Sequence, residues 1–454
     1  MRSALVVGLG RSGKEAALLL RQKGVGVTVI ERKKNFLTLK KAAQLRKYGV
    51  NVVFGQEEET VLKDKDVVVL SPGVPRNSSI IEKAKALSIP LISELELAWR
   101  FIPRKNLIAV TGTNGKTTTC FLFYKLLKES GFPVQIGGNV GVPLSRVARF
   151  LQDSKCKVVT EVSSFQLEES KNFAPHIYCI LNITPDHLDR HSSFTEYVEI
   201  KSRPLGRMKR GDFAILNYDQ PHVRALEKIT KAKVVFFSQK EKLSEGVFID
   251  KDRIVAKWGK KKVLLFLDNL YLCKFHSLDN LLCTVAFSLI EGIGFEIVGD
   301  VLFNYKPLPH RQQFIAEIEE VKFFDDSKAT NQAAVENFLK CSAKPCILIM
   351  GGKDKGGDFS FLKNYSDKIK TLVVMGEAAE RIKKQVEDTL QVKICKGMRE
   401  AVRVAFSVAQ KGDFIALSPG CASFDEFISY RHRGRVFKKE VLKLKGEIEG
   451  KKQI

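Results

Sequence analysis

The chain lacks several things, and each absence excludes something. No apolar run approaches the ~20 residues of a membrane-spanning helix, so membrane insertion is not expected. No C-x-x-C pair occurs among nine cysteines: Cys120, Cys156, Cys179, Cys273, Cys283, Cys341, Cys346, Cys395 and Cys421. A zinc site is therefore not expected. Most of these cysteines sit in apolar stretches, as small buried hydrophobes do, and reduced thiols are expected. No internal repeat or low-complexity tract stands out. Acidic residues are the minority, 51 Asp and Glu against 75 Lys and Arg, giving a formal charge of +24. Such an excess admits nucleic acid, an anionic membrane surface or anionic substrates. No aromatic-basic ribonucleoprotein motif, zinc finger or basic zipper accompanies it, so no nucleic-acid partner is expected. The cations spread over 32–47, 201–210, 251–262 and 431–452. They read as a lysine-rich solvated surface, with a loose attraction to acidic membrane or anionic substrates as the second reading. The opening "MRSALVVGLG" runs straight into a strand-like segment, and a cytoplasmic protein is expected.

What is present is an ordinary globular composition, 44% apolar and 28% charged over 454 residues. That length implies two to four domains. Three blocks each begin anew with a strand and a glycine turn. The first, 1–97, opens with "ALVVGLGRSG", a helix over 14–23 and a strand ending at Glu31. The second, 98–305, has strands in 157–164 and 177–187 and a helix from Leu278 to Leu289. The third, 306–454, opens at "PLPHRQQF" and continues through the strand "VKFFDDSKATN". Strands alternating with helical segments predict an α/β fold with mainly parallel sheets.

Within the second block, "AVTGTNGKTTT" (109–119) lies between an apolar strand and an apolar-periodic helix. Gly112 and Gly115 let backbone N–H groups converge on an anion at a helix N-terminus. Lys116 adds a full charge, and Thr117 offers a hydroxyl to a magnesium ion. The motif is the shorter T-G-T-N-G-K-T rather than G-x-x-x-x-G-K-T. Glu161 ends a strand at the same edge, where a carboxylate suits Mg²⁺. Asp186 and His187 are expected to end the next strand, at an edge where α/β sheets bind ligands. In the first block, Gly8-x-Gly10-x-x-Gly13 with Glu31 some 20 residues on fits any nucleotide diphosphate. In the third, Arg311 suits a phosphate. Asp326, Lys328 and Thr330 share a face if their segment stays extended. Lys355 stands in a glycine-rich loop.

"TGTNGKTT", "GGNVG" (137–141), "EVSSFQLE" (161–168), "NITPDHLDRH" (182–191), "LPHR" (308–311), "DDSKATN" (325–331), "GGKDKG" (351–356) and "LSPGCASFDEF" (417–427) occur in that order. Together they closely resemble the Mur ligases of peptidoglycan synthesis, over residues 5 to about 435. "SSFQLE" and "SPGCASFDEF" resemble the D-glutamate-adding branch. The resemblance implies three domains: a Rossmann-like N-terminal domain that binds UDP, a central P-loop ATPase-like domain, and a Rossmann-like C-terminal domain. It implies ATP, UDP-N-acetylmuramoyl-L-alanine and D-glutamate as substrates, two Mg²⁺ ions, and an acyl-phosphate route to the amide. A monomer is favoured.

The resemblance also implies roles. Gly112, Thr113, Asn114, Gly115, Lys116, Thr117 and Thr118 would hold ATP phosphates, with Asn280, Arg311 and Asp326 as further ATP contacts. Thr117, Glu161 and His187 would hold metal, as would Lys201 if carbamylated. Lys116, Glu161, His187 and Lys201 form the implied catalytic set. Ser12, Glu31, Ser71, Gly73, Asn139 and Gln166 would meet the UDP substrate. Lys328, Thr330, Lys355, Ser423, Phe424 and Tyr430 match the D-glutamate pocket. Two segments depart from the family pattern. "KFHSLDN" keeps His276 and Asn280 but has Ser277 and Lys274 near the adenine. The UDP-side acid is Glu31 rather than Asp, followed by Arg32 and Lys33. Three other readings compete: a different Mur or folylpolyglutamate-type ligase, an NAD-dependent oxidoreductase on the first glycine motif, and a nucleic-acid-binding ATPase. The absence of a D-N-P-R segment, the second nucleotide loop and the lack of a recognition module count against them in turn.

Overall fold

A computed structural model of the protein describes residues 1–55, 59–187, 190–259, 261–266, 278–342, 344–354 and 356–451. The chain divides into two compact units, Met1–Phe266 with Asp279–Val301, and Leu267–Leu278 with Leu302–Ile454.

The first unit holds two sheets. Strands β1 (Ser3–Val7), β2 (Gly26–Glu31), β3 (Asn51–Phe54), β4 (Val67–Leu70) and β5 (Leu91–Ser93) form an all-parallel sheet of order β3-β2-β1-β4-β5. β1 and β4 are near-continuous apolar runs, as strands covered on both faces must be. The strand order reverses at β1, which leaves a crevice beyond the ends of β1 and β4.

The larger sheet comprises β6 (Leu107–Thr111), β7 (Val134–Gly138), β8 (Lys157–Glu161), β9 (Ile177–Ile180), β10 (Phe213–Asn217), β11 (Lys233–Ser238), β12 (Gly246–Asp250), β13 (Arg253–Trp258) and β14 (Lys261–Phe266). Its order is β14-β13-β12-β11-β10-β9-β6-β8-β7, and only β13 pairs antiparallel with its neighbours β12 and β14. Here the order reverses at β6, so its C-terminal turn lies between the ends of β8 and β9. One buried apolar cluster joins the two sheets, running from Val6 and Leu19 through Leu95, Leu97 and Leu144 to Tyr178 and Leu216. Buried polar groups also cross this seam. Glu15 accepts from Arg149 Nη1 at 2.7 Å, and Glu94 Oε1 accepts from Ser145 N at 2.6 Å. Burial raises the Glu94 pKa.

The second unit is built on β15 (Gln313–Ile318), β16 (Val321–Asp325), β17 (Cys346–Gly351), β18 (Ile369–Met375), β19 (Val392–Ile394) and β20 (Phe414–Leu417), in order β15-β16-β20-β17-β18-β19. Only the β15–β16 pair is antiparallel. Apolar clusters cover both faces. Val335, Leu339 and Leu362 lie in one, and Val402, Phe437 and Val441 in the other.

Two expected strands stop early. The strand expected over 177–187 ends at Ile180, and the one expected through "VKFFDDSKATN" ends at Asp325. Two expected helices run Arg11–Gln22 and Leu278–Glu291. None of the eight described cysteines forms a disulfide. No helix among the described residues is long and apolar enough to cross a membrane.

Candidate functional site

A cavity of about 880 Å³ lies between the two sheets of the first unit. Gly8, Gly10, Arg11, Ser12, Glu31, Arg32, Lys33, Ser71 and Gly73 line it from the first sheet, and Gly138, Asn139, Gly141 and Gln166 from the second. The glycine turn that opens it is forced by close approach. A Cβ on Gly13 would sit 1.9 Å from Gly8 O, and Gly8 itself has φ +89°. Ser71 Oγ donates to Gly8 O at 3.1 Å, closing the crevice floor. Glu31 is occupied locally: its Oε2 accepts from Leu9 N at 2.6 Å and its Oε1 from Lys33 N at 2.9 Å. Arg11, which the motif reading passed over, lines the cavity and donates to Gly141 O across the seam. Gln166 caps the short helix Ser164–Leu167, accepting from Ser163 N at 3.0 Å.

The turn after β6 is the second element. Gly112 has φ +150° and Gly115 φ +84°, and helix Lys116–Glu129 starts at once. A Cβ on Gly115 would fall 2.2 Å from Asn280 Oδ1. Asn280 Oδ1 also accepts from Thr119 Oγ1 at 3.4 Å, so Asn280 braces the turn. The helix is further fixed where Phe123 stacks on Phe287, centroids 4.0 Å apart. The segment after β9 is drawn onto the same turn. Thr113 N donates to Asn182 O at 2.9 Å, Asn114 N to Asn182 Oδ1 at 2.9 Å, and Thr184 N to Thr113 Oγ1 at 3.0 Å. This corrects the expectation for His187. Asn182 and Thr184 bond to the turn instead of continuing the strand, and His187 stands in the following loop with φ +56°. Its ring meets Phe165 edge-on at 4.8 Å.

Glu161 joins the two elements. It is buried at the end of β8. Thr117 Oγ1 donates to its Oε2 at 2.7 Å, and Asn139 Nδ2 to its Oε1 at 2.7 Å. A buried carboxylate and a hydroxyl at a helix N-terminus are hard oxygen donors, and they fit Mg²⁺, which takes one or two carboxylates and completes its shell with phosphate and water oxygens. Among the described residues no three His, Cys, Asp or Glu side chains form a metal cluster.

Lys201 is buried to 1% exposure, on helix Phe194–Ser202. Its Nζ donates to Gly112 O at 2.9 Å and Thr111 Oγ1 at 3.3 Å, over the Tyr197 ring. Lys116 Nζ donates to that same Gly112 O at 2.8 Å. Two ammonium groups on one carbonyl repel, and burial penalises each charge. The Lys201 pKa is driven well below that of an ordinary lysine, by burial first and Lys116 second. Thr118 is buried in the first helical turn.

In the second unit, Asp326 lies at the end of β16. Its Oδ2 accepts from Ser418 Oγ at 3.2 Å and its Oδ1 from Gln312 N at 3.3 Å. Burial pushes its pKa up to about 7, against the opposing pull of Arg311. The chain then turns: Ala329 N donates to Asp326 O at 2.8 Å and Lys328 N to His310 O at 3.1 Å. Asp326, Lys328 and Thr330 therefore do not share an extended face, which corrects that reading. Lys328 Nζ instead lies over the Tyr430 ring, 4.9 Å from its centroid. Ser423 is buried and Phe424 is exposed. Lys355, His276, Ser277 and Lys274 lie outside the described residues.

Sequence reasoning missed Arg433. It is 1% exposed, and its guanidinium donates to Ser327 Oγ (3.0 Å), Ser327 O (2.9 Å) and Cys421 O (3.1 Å). It thus ties the Asp325–Thr330 turn to the 417–427 loop. The only signal was a basic run, "YRHRGR", which reads as surface.

A phosphate-loop turn at a strand-order reversal, beside a nucleotide-sized cavity lined by a second glycine turn, defines a nucleotide-using α/β enzyme of several domains. Comparison with known sequences resolves which kind: the chain belongs to the Mur ligase family. Residues 2–93 match the profile described as Mur ligase MurD-like, N-terminal domain, 110–285 the Mur ligase middle domain, and 310–421 the Mur ligase, glutamate ligase domain. The chain is 38% identical to the UDP-N-acetylmuramoylalanine--D-glutamate ligase of Caldanaerobacter subterraneus, over 98% of this chain and 99% of that one. It is 39% identical to the ligase of the same name from Pelotomaculum thermopropionicum, over 98% of each. Among solved structures, the UDP-N-acetylmuramate-alanine ligase of Thermotoga maritima shares the fold, with TM-score 0.61, 18% identity, and coverage of 98% of this chain and 100% of that one.

Proposed function

We propose that this chain is a cytoplasmic ligase that joins D-glutamate to UDP-N-acetylmuramoyl-L-alanine with hydrolysis of ATP, in peptidoglycan precursor synthesis. One observation carries the reading. Asn139 lines the cavity and bonds Glu161, and Glu161 bonds Thr117 of the phosphate loop. The far end of a UDP-sugar in that cavity would therefore lie beside ATP phosphates on the turn. The full-length likeness to ligases of this name supports the same substrates.

The chemistry follows from charge. A carboxylate is a poor acyl donor until one of its oxygens becomes a phosphate leaving group. The alanyl carboxylate attacks the γ-phosphorus of ATP, releasing ADP. The amine of D-glutamate then attacks the acyl phosphate, and the tetrahedral intermediate collapses to amide and phosphate. Lys116 and the N–H groups of 112–118 offset repulsion between the two anions. Thr117 and Glu161 would hold one Mg²⁺ ion, and His187 with a Lys201 carbamate would serve a second. Bound there, Mg²⁺ supplies charge neutralisation at the transferring phosphoryl group. Ser12, Glu31, Ser71, Gly73 and Gln166 position the UDP moiety. Arg311 and Asp326 meet ATP, and Lys328, Thr330, Lys355, Ser423, Phe424 and Tyr430 take D-glutamate. Domains are proposed at 1–97, 98–305 and 306–454, in a monomer.

The test is phosphate release from ATP with each substrate omitted in turn. Release that requires both UDP-N-acetylmuramoyl-L-alanine and D-glutamate is expected. Release that proceeds without D-glutamate, or with another amino acid in its place, would overturn the assignment.

A further inference from the structure

We infer that the helix Phe36–Arg46 and its flanks form a docking surface for an anionic lipid bilayer. This segment takes no part in the site described above. Its start is well defined, because Asn35 and Thr38 cap each other reciprocally. It buries only Thr38, Ala42 and Leu45, which at spacings of four and three form one face. At 100° per residue, Phe36 and Lys40 stand on the opposite face.

That outer face is unusual in composition. Phe36 there is 78% exposed; Leu37, 67% exposed, and Leu39 stand on its two flanks, and Tyr48 is exposed beyond the other end of the helix. Large apolar side chains clustered on a surface mark an interaction site. Phe36 and Leu37 do not line the UDP cavity, whose wall on this side stops at Lys33. In sequence, residues 32–54 hold seven Lys and Arg and no Asp or Glu, and Glu57, Glu58 and Glu59 follow. Arg32, Lys33, Lys34, Lys40 and Lys47 are all exposed. The preceding acid, Glu31, spends its carboxylate on Leu9 N and Lys33 N.

An apolar tip ringed by cations matches the interfacial region of an anionic membrane. There the apolar side chains reach the acyl boundary and the lysines reach headgroup phosphates. Nucleic acid would satisfy the lysines equally well. It would not reward Leu37 and Leu39, since strand recognition relies on flat rings that stack on bases. The aliphatic residues therefore favour lipid.

The experiment is co-sedimentation of the full chain with vesicles of phosphatidylcholine alone, or of phosphatidylcholine with an equal share of phosphatidylglycerol, at near-physiological salt. The wild type should pellet with the anionic vesicles only. Phe36→Ser with Leu37→Ser leaves the charge unchanged and should weaken binding roughly tenfold or more. Lys40→Gln with Lys47→Gln should weaken it roughly tenfold. Lys384→Gln with Lys443→Gln makes the same charge change on exposed helices elsewhere and should have little effect. All three double variants should retain ligase turnover in solution, which confirms folding. The inference is overturned if the wild type ignores anionic vesicles. Equal weakening by the Lys384 and Lys443 pair, or unchanged binding of the Phe36 and Leu37 variant, would overturn it too. So would a single-stranded oligonucleotide that binds more tightly than vesicles and loses affinity in the Lys40 and Lys47 variant.

Discussion

The phosphate-loop turn of the first unit and the Asp326–Thr330 turn of the second handle buried charge in opposite ways. In the first, the charged groups expected to meet ligand are themselves buried and already bonded. Glu161 accepts from Thr117 and Asn139, and Lys201 shares Gly112 O with Lys116. In the second, burial falls on Asp326 and Ser423 and on scaffold groups around them. Arg433 pins the turn, and Asp325 accepts from Ser327 N at 2.9 Å and lies 2.7 Å from His310 Nδ1. Lys328 and Tyr430 above them are half-buried, and Phe424 is exposed. The first region is organised for chemistry on charges it holds, where preorganised dipoles have their largest effect. On the proposed roles, the second would set its binding groups on a rigid base. Substitutions should therefore cost turnover in the first region and substrate affinity in the second.

Lys201 offers the widest margin. Its pKa, driven well below that of an ordinary lysine, favours the neutral amine that reacts with CO₂, whereas an ordinary lysine, near 10.4, is almost wholly protonated at neutral pH. The resulting carbamate would be a hard two-oxygen ligand for Mg²⁺. Lys201→Ala should reduce turnover roughly a thousandfold, with ATP affinity far less affected. Small carboxylic acids that fill the space should partly restore rate. Near-normal turnover, or a loss traced to misfolding, would remove the carbamate.

Asp326 tests the other region through stability. Its folded pKa, about 7, lies above its unfolded value. The folded state then holds the extra proton between about pH 4 and pH 7, so stability is lost as pH rises through that window and levels above it. Asp326→Asn removes the dependence. Denaturant titrations across pH should show the variant gaining on the wild type by on the order of 4 kcal/mol between those limits. Parallel curves would mean that Asp326 is ionised throughout.

Glu161→Gln keeps shape and loses charge. Asn139 Nδ2 can still donate to the amide oxygen, and the Thr117 hydroxyl can turn to accept from the amide NH₂, so the fold should persist. Turnover should fall roughly a hundredfold, and the Mg²⁺ concentration for half-maximal rate should rise. An unchanged Mg²⁺ dependence would detach Glu161 from the metal.

What the sequence made legible follows the same division. Gly112–Thr117 and the Gly8–Gly13 turn are contiguous, and their geometry is local, so pattern sufficed. Glu161 was legible as a strand end. Lys201 was not, because its partners Thr111 and Gly112 lie some 90 residues away, and only the family likeness pointed to it. His187 and Asp326–Thr330 were placed on strands because their apolar neighbours continue the strand pattern. In the structure, backbone bonds to Thr113 and to His310 end those strands. Arg433 was invisible because its role rests on carbonyls of Ser327, Gly351 and Cys421, on three segments that meet only after folding.

The smallest effect expected is at Lys328, and it separates the two regions most directly. Its ammonium lies over the Tyr430 ring, a contact that holds a cation in place without neutralising it. On the proposed role, a cation at that position would meet a carboxylate of D-glutamate. Lys328→Ala should raise the D-glutamate KM roughly tenfold and leave the ATP KM within about twofold. Tyr430→Leu should act in the same direction but more weakly, because it removes the platform and not the charge. The double variant should cost less than the product of the two, since both act on one ammonium position. If Lys328→Ala instead lowers kcat with the D-glutamate KM unchanged, the Asp326–Thr330 turn belongs with the phosphate loop, and the contrast between the two regions fails.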